Sequence, residues 1–188
     1  MRNAFIELVK TLFLAIFLLL VIQSMIQLYK VSGPSMEPLL ISGDRIVVNK
    51  LSYVEVDLTR IGKLLPGNHE NRAWQVFGEP NAGDLIVFKS IQNEDKSVIK
   101  RIIGLPGDKV KITNGIVYVN DHPRMETYVD NVVLQTYPEV TVPLGEFFVL
   151  GDNRVSSNDS RNWGTIPREN IVGKAWLIYW PFRRSDFL

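Results

Sequence analysis

The sequence predicts a mostly β fold: a compact, antiparallel, barrel-like domain carried behind an N-terminal transmembrane helix. Two patterns predict it. Residues 4–29 are strongly apolar, and the rest of the chain is a series of short Val- and Ile-rich runs separated by Gly, Pro, Asn and Asp. No sustained helical periodicity follows the first stretch, which leaves packed sheets or a barrel as the architecture.

No charge falls between Lys10 and Lys30, a gap of 19 residues. As a helix that gap is about 29 Å long, close to the hydrocarbon thickness of a bilayer. It exceeds the apolar region of a cleaved leader, and no small-x-small cleavage site follows, so a retained anchor is favoured. Nothing downstream reads as a cover for an all-round apolar helix, which argues against a buried soluble one. Arg2 and Lys10 precede the span and Lys30 follows it. The positive-inside rule then places the N-terminus in the cytoplasm and the remainder across the plasma membrane, as a single-pass protein. The expected organisation is a tip and anchor over residues 1–30 and an extracytoplasmic β-rich domain over 31–188.

Strands are expected at 45–49, 85–89, 98–103, 109–113, 116–119, 146–150 and 173–179, all rich in β-branched residues and too short for helices. Asn114-Gly115 marks a hairpin, because both residues tolerate positive φ. Gly-Asp occurs four times, at Gly43-Asp44, Gly83-Asp84, Gly107-Asp108 and Gly151-Asp152, and reads as repeated turn chemistry. No 20–50 residue period accompanies it, so this is no repeat array. Residues 51–81 mix Pro, Gly and charge and read as an insertion. Residues 122–143 read as an extension of the hairpin with its own loop.

Composition narrows the chemistry. At 188 residues with 46% hydrophobic and 22% charged, the chain holds one moderate domain plus an anchor. A net charge of +1 gives no basic face for nucleic acid. There is no cysteine, which removes thiol catalysis, disulfides and Cys-based zinc sites. The two histidines, His69 and His122, both sit in polar turn-like stretches, poor places for a catalytic base.

Ser35 lies in Ser32-Gly33-Pro34-Ser35-Met36-Glu37-Pro38, just past the span. The prolines stiffen the segment, and Gly33 allows close backbone approach. A rigid serine on a short tether could be a nucleophile, or only a turn residue. Lys100 lies in Val98-Ile99-Lys100-Arg101-Ile102-Ile103, a lysine inside an apolar strand. Alternation puts it on one face with Val98 and Ile102, and Arg101 on the other. If buried, its amine resists protonation and could accept the Ser35 proton, the Ser-Lys form of nucleophilic catalysis. If the strand lies at an edge, both cations are exposed or paired with carboxylates instead.

Several ordered blocks resemble the type I signal peptidases, the Ser/Lys-dyad leader peptidases of bacteria. They are the anchor, Gly33-Pro34-Ser35-Met36-Glu37-Pro38, Gly43-Asp44-Arg45-Ile46-Val47-Val48-Asn49-Lys50, Gly83-Asp84-Leu85-Ile86-Val87-Phe88, Lys100-Arg101-Ile102-Ile103-Gly104-Leu105-Pro106-Gly107-Asp108, and Gly151-Asp152-Asn153-Arg154 through Ser160-Arg161-Asn162-Trp163-Gly164. Any one of these could be coincidence; their order makes the match specific. The resemblance implies Ser35 as nucleophile and Lys100 as general base. It implies that Ser157 orients the Lys100 amine, and that Asp159 and Arg161 form a bracing ion pair in what otherwise reads as a solvated polar loop. It implies no metal or organic cofactor.

Two positions depart from the pattern. Some members carry a hydroxyl residue, an oxyanion donor, where this chain has Gly33, so the oxyanion should rest on backbone N–H groups, that of Ser35 first. Leu39 replaces a common threonine, with no mechanistic consequence apparent. The implied substrates are signal peptides of exported preproteins with small residues at the first and third positions before the cut, met at the bilayer near the secretion machinery. In an extended peptide those two side chains point the same way. Val31, Met36, Leu40, Val98 and Ile99 are the candidate pocket lining, and fit ordinary core equally. Trp176, Tyr179, Trp180 and Phe182, before Arg183 and Arg184, fit either a membrane interface or a last core strand. The rivals are a self-cleaving Ser-Lys repressor, which would need a helix-turn-helix in place of the anchor, and a non-enzymatic membrane-tethered β-module that binds an exported partner.

Overall fold

The apolar N-terminal stretch forms one helix, α1 (Arg2–Met25). Its side chains stand in solvent all round, Phe5, Phe13, Leu19 and Ile22 among them, and Phe5–Met25 is long and apolar enough to cross a membrane. The computed structural model describes residues 2–53, 55–56, 74–75, 78–93, 95–131 and 133–188. Most of the expected insertion at 51–81 lies outside the described residues.

The helix stops before the charge-free run does. Residues 26–30, expected in the anchor, form β1 (Ile26–Lys30), which pairs antiparallel with β2 (Arg45–Asn49) from Ile26↔Asn49 to Lys30↔Arg45. Tyr29 packs on the core beside Ile46 and Val48, a contact that a continued helix would forgo. A short hairpin of β3 (Glu55–Val56) and β4 (Trp74–Gln75) follows. Then come β5 (Leu85–Lys89), β6 (Ser97–Gly104), β7 (Lys109–Thr113), β8 (Ile116–Val119), β9 (His122–Pro123), β10 (Tyr137–Thr141) and β11 (Glu146–Leu150). The short helix α2 (Ser160–Trp163) leads into β12 (Ile166–Pro167), β13 (Ile171–Trp180) and β14 (Asp186–Phe187).

The main sheet has the order β1-β2-β13-β5-β6-β11-β12, with β14 on β13, and a second sheet runs β10-β7-β8-β9. The pairings are antiparallel, as expected. Both sheets are open at their ends, so no closed barrel forms among the described residues. Alternation along β5 and β11 sorts the core. Ile86, Phe88, Phe147 and Val149 face one side with Ile102 and Ile166. Phe148 and Leu150 face the other, where the small sheet covers them with Val110, Ile112, Val117 and Val119. β5 is buried on both faces, which explains its unbroken apolar run. The hairpin at Asn114-Gly115 has both residues at positive φ, +50° and +81°. β9 continues that hairpin; β10 returns from the 122–143 stretch to pair with β7, a strand the sequence did not mark.

Three of the four Gly-Asp pairs build the same turn. Gly43, Gly83 and Gly107 sit at φ +103°, +100° and +89°. The carboxylates of Asp44, Asp84 and Asp108 accept the N–H of Ile41, Asn81 and Leu105 at 3.0, 3.0 and 2.8 Å. Each aspartate N–H returns to the carbonyl of the same residue, at 3.1, 3.1 and 3.0 Å. Each turn launches a strand, β2, β5 or β7.

Asp84 also accepts from Lys174 Nζ at 2.5 Å and Tyr53 OH at 2.7 Å. Burial alone would raise its pKa, but Lys174, the Asn81 N–H and the Tyr53 hydroxyl together hold it below the ordinary 3.8. A depressed carboxylate stabilises the fold above its unfolded pKa and loses that contribution as pH falls through the folded value. Asp84→Ala should therefore cost about 2 kcal/mol at neutral pH. It should also flatten the acid loss of stability below about pH 4, read by urea denaturation across pH.

Candidate active site

The chain between β1 and β2 is a pinned loop. Val31 N–H donates to Asp44 O at 2.8 Å, and Gly43 N–H returns to Val31 O at 3.0 Å. Met36 and Leu40 are 1% and 0% exposed and pack into the core against Ile46, Val48, Leu85 and Val87. Arg184 ties the outer side, donating to Asp44 and, at 2.9 Å, to Leu39 O. Burying residues on either side of Ser35 fixes the serine without burying its hydroxyl. Gly33 sits at φ +87°, and a Cβ there would meet nothing within 4 Å. Its glycine answers to left-handed backbone, not to the close approach expected from the sequence.

Lys100 lies mid-strand in β6, paired with Ile86 of β5 and just short of where β11 joins, and it is buried rather than solvated. It is 2% exposed. Its Nζ is 2.7 Å from Ser35 Oγ and 3.0 Å from Ile99 O. No carboxylate among the described residues makes an ion pair with it. Burial, the largest influence, pulls its pKa from 10.5 down to about 8; Asp159 and Asp152 act at longer range in the opposite sense. Arg101, on the opposite face, is held by Asp152 through two bonds of 2.8 and 2.6 Å and lies 4.0 Å over the Tyr128 ring. The two adjacent cations thus meet different fates, one paired and one left with a serine.

The loop after β11 closes the site. Asp159, fully buried, caps α2 and accepts from Gly151 N–H at 3.0 Å and from Arg161 Nε and Nη2 at 2.8 and 2.9 Å. Burial would raise its pKa, yet Arg161, the Gly151 N–H and the Ser157 hydroxyl together keep it below the usual carboxylate value. Arg161 also reaches Arg154 O at 2.9 Å, so the expected brace is a network across the whole loop. Ser157 differs from expectation. Its Oγ is buried beside the site and is turned toward Asp159, in poor hydrogen-bond geometry, rather than bonded to Lys100. The Lys100 amine spends its contacts on Ser35 and Ile99 instead.

Three features were not marked by the sequence reading. Gly151 is where the two halves of the site touch: a Cβ there would fall 2.2 Å from Ser157 Oγ and 2.5 Å from Ser35 O. Asn153 N–H donates to Ser35 O at 3.1 Å and joins the nucleophile loop to the closing loop. Arg154, 6% exposed, bonds Gly151 O at 3.1 Å and Glu126 at 2.6 Å, which fastens the 122–143 stretch behind the site. A signal was available: Gly151-Asp152 alone of the four pairs follows a strand, and it alone does not form the shared turn.

Of the candidate pocket residues, Val31, Val98 and Ile99 line a hollow of about 160 Å³ beside Ser35, with Tyr29, Ile46 and Val87. Met36 and Leu40 do not; they are core, because they anchor the loop. A second hollow, about 300 Å³, opens on the other side of Ser35 and includes Lys100. His122 is exposed on β9; His69 lies outside the described residues. At the chain end Trp176, Trp180, Phe182 and Phe187 are exposed, so this stretch is not simply a core strand.

Gly151→Ala should push Ser35 and Ser157 apart. With a displacement near 1 Å at the reacting atoms, activity should fall by about a hundredfold while the circular dichroism spectrum is kept. Wild-type kcat in that variant would show that the contact does not position the serine.

Comparison with known proteins places this arrangement. Residues 5–180 match the family model described as signal peptidase, peptidase S26. The chain is 34% identical to a probable signal peptidase I-2 of Synechocystis, over 100% of this chain and 78% of that protein. It is 35% identical to a signal peptidase I of Leptolyngbya laminosa, covering 94% and 80%. It is 39% identical to a signal peptidase I of Bacillus caldolyticus, covering 85% and 82%. A match over nearly the whole β domain, joined to a serine and a buried lysine in contact, leaves one conclusion: the chain belongs to the signal peptidase family, peptidase S26.

Proposed function

We propose that this protein is a membrane-anchored serine endopeptidase that removes signal peptides from exported preproteins, with Ser35 as nucleophile and Lys100 as general base. The observation that carries the assignment is a buried amine, without a counter-ion among the described residues, 2.7 Å from a serine hydroxyl. With its pKa drawn down to about 8, the amine is neutral in an appreciable fraction near neutral pH. A lysine so placed contributes nothing to stability, and its one distinctive property is basicity.

The neutral Lys100 amine takes the Ser35 hydroxyl proton as Oγ bonds to the scissile carbonyl carbon. The resulting ammonium returns the proton to the leaving nitrogen as the C–N bond breaks, leaving an ester on Ser35. Water then attacks the ester and gives its proton to Lys100, which passes it to the departing Ser35 oxygen. The Ser35 N–H makes no internal hydrogen bond among the described residues and is available for the oxyanion. Gly33 offers only backbone. Asp159 and Arg161 act by holding the loop that carries Asn153 and Ser157 against the serine.

The substrate side is an open edge. β6 pairs with β5 along Ser97–Arg101, but with β11 only from Arg101 onward. An extended peptide can pair with residues 97–100 there, presenting alternate side chains to the hollow of Val31, Ile46, Val87 and Ile99. That fits small residues at the first and third positions. The anchor sets the depth: Ser35 comes ten residues after Met25, so cleavage occurs close to the bilayer. Residues 31–188 lie on the outer side, the N-terminus in the cytoplasm, and the exposed aromatics of residues 176–187 rest at the interface near the secretion machinery.

Ser35→Ala and Lys100→Met should each abolish cleavage of a purified precursor; full activity in the lysine variant would sink the dyad. Cleavage rate should rise with pH through a single ionisation near 8 and level off above it, because the base must be neutral. Stability rises with pH as well, between the folded and the unfolded pKa. A lysine whose folded pKa is depressed disfavours the fold below its unfolded pKa, fully so once pH is below the folded value. Lys100→Met should therefore raise stability at pH 7 by up to about 3 kcal/mol in denaturant titration.

A further inference from the structure

The larger hollow beside Ser35 holds Lys100, whereas the hollow of Val31 and Ile46 does not. In the reaction proposed above, Lys100 must reach the nitrogen of the leaving chain. The new N-terminus must therefore leave over Lys100. Alternation in β6 supports the same division. Ile99 faces the first hollow with Val87, while Lys100 faces the opposite side of the sheet with Ile86 and Phe88.

We infer that this second hollow is the subsite for the first residues of the mature protein, and that it selects uncharged side chains there. This inference rests on the peptidase reading. The walls are Phe88 and Trp163, whose rings lie 6.0 Å apart, and Val98 lines both hollows. The rim comes from two loops that meet across the opening: Asn158 Nδ2 donates to Gln92 Oε1 at 3.4 Å, and Asn162 Nδ2 holds Asn158 Oδ1 at 3.0 Å. Ile91, 46% exposed, completes it. The lining is aromatic, aliphatic, hydroxyl and amide, and its one ionisable group among the described residues is Lys100. A lysine or arginine entering here finds no carboxylate among the described lining residues and sits beside an amine that must become an ammonium during each turnover. An aromatic floor with an amide rim instead suits small polar or apolar side chains.

The test is a precursor series varied at the first two mature positions and, separately, at the third position before the cut. The wild-type enzyme should cleave precursors with Ala, Ser or Gln at the first mature position with kcat/KM about tenfold above those with Lys or Arg. Ile91→Glu and Asn158→Asp, two rim changes at exposed positions, should each collapse that ratio, while the small-over-large ratio at the third position before the cut stays as in the wild type. Using two variants guards against one misfolding. An unchanged ratio at the first mature position in both variants, or a change confined to positions before the cut, overturns the inference. Failure of the peptidase reading looks different: the wild type cleaves no precursor, or Ser35→Ala cleaves as well as wild type.

Discussion

The burial of one amine governs the rest of this molecule. Lys100 sits at 2% exposure, and among the described residues a serine and a carbonyl are its close polar contacts. A buried, unpaired ammonium is among the costliest groups a fold can carry, so the amine gives up its proton readily. Much of the surrounding structure serves to keep it so. Asp152, on the strand's other face, is committed to Arg101, and Asp159 is committed to Arg161. Were either carboxylate free to pair with Lys100, its pKa would be drawn back up. The ion pairs therefore sequester negative charge as much as they brace loops.

The same logic explains how the serine is held. A nucleophile must be exposed to substrate yet fixed within a fraction of an ångström. The loop meets both needs by splitting the work among neighbouring residues. Met36 and Leu40 supply hydrophobic anchorage, Asp44 and Arg184 polar anchorage, and Ser35 O takes the Asn153 N–H from the far loop. Because β6 is paired on both sides from Arg101 onward and open at an edge over residues 97–100, one strand carries both the buried amine and an unpaired edge beside it.

Much of this was legible in the sequence, and the pattern of success has a physical reason. The strands at 45–49, 85–89, 109–113, 116–119 and 146–150 match to the residue, because each carries β-branched alternation or a continuous apolar run bounded by turn residues. β1 and β10 were missed. β1 is written in the same apolar letters as the helix before it, and only its pairing with β2 separates the two. The motif order brought Ser35 and Lys100 together on the page before the fold did. The Ser157–Lys100 bond and the pocket role of Met36 and Leu40 were expected and are not seen. Which way a side chain turns in a loop depends on contacts from distant segments, and periodicity carries no information about those. The Gly-Asp pairs show this well: one dipeptide makes a strand-launching turn at Gly43, Gly83 and Gly107, and a tight inter-loop contact at Gly151.

That contact at Gly151 also bears on when the enzyme can first exist. Ser35 is separated from Lys100 by 65 residues, and its carbonyl is held by Asn153 from a loop made far later in synthesis. The serine thus precedes its closing loop in chain order by more than a hundred residues. A growing chain carries Ser35 with neither the Lys100 amine buried nor that loop in place. Latency is built into chain order: the site is complete only after residues 146–161 have folded back on the Ser35 loop.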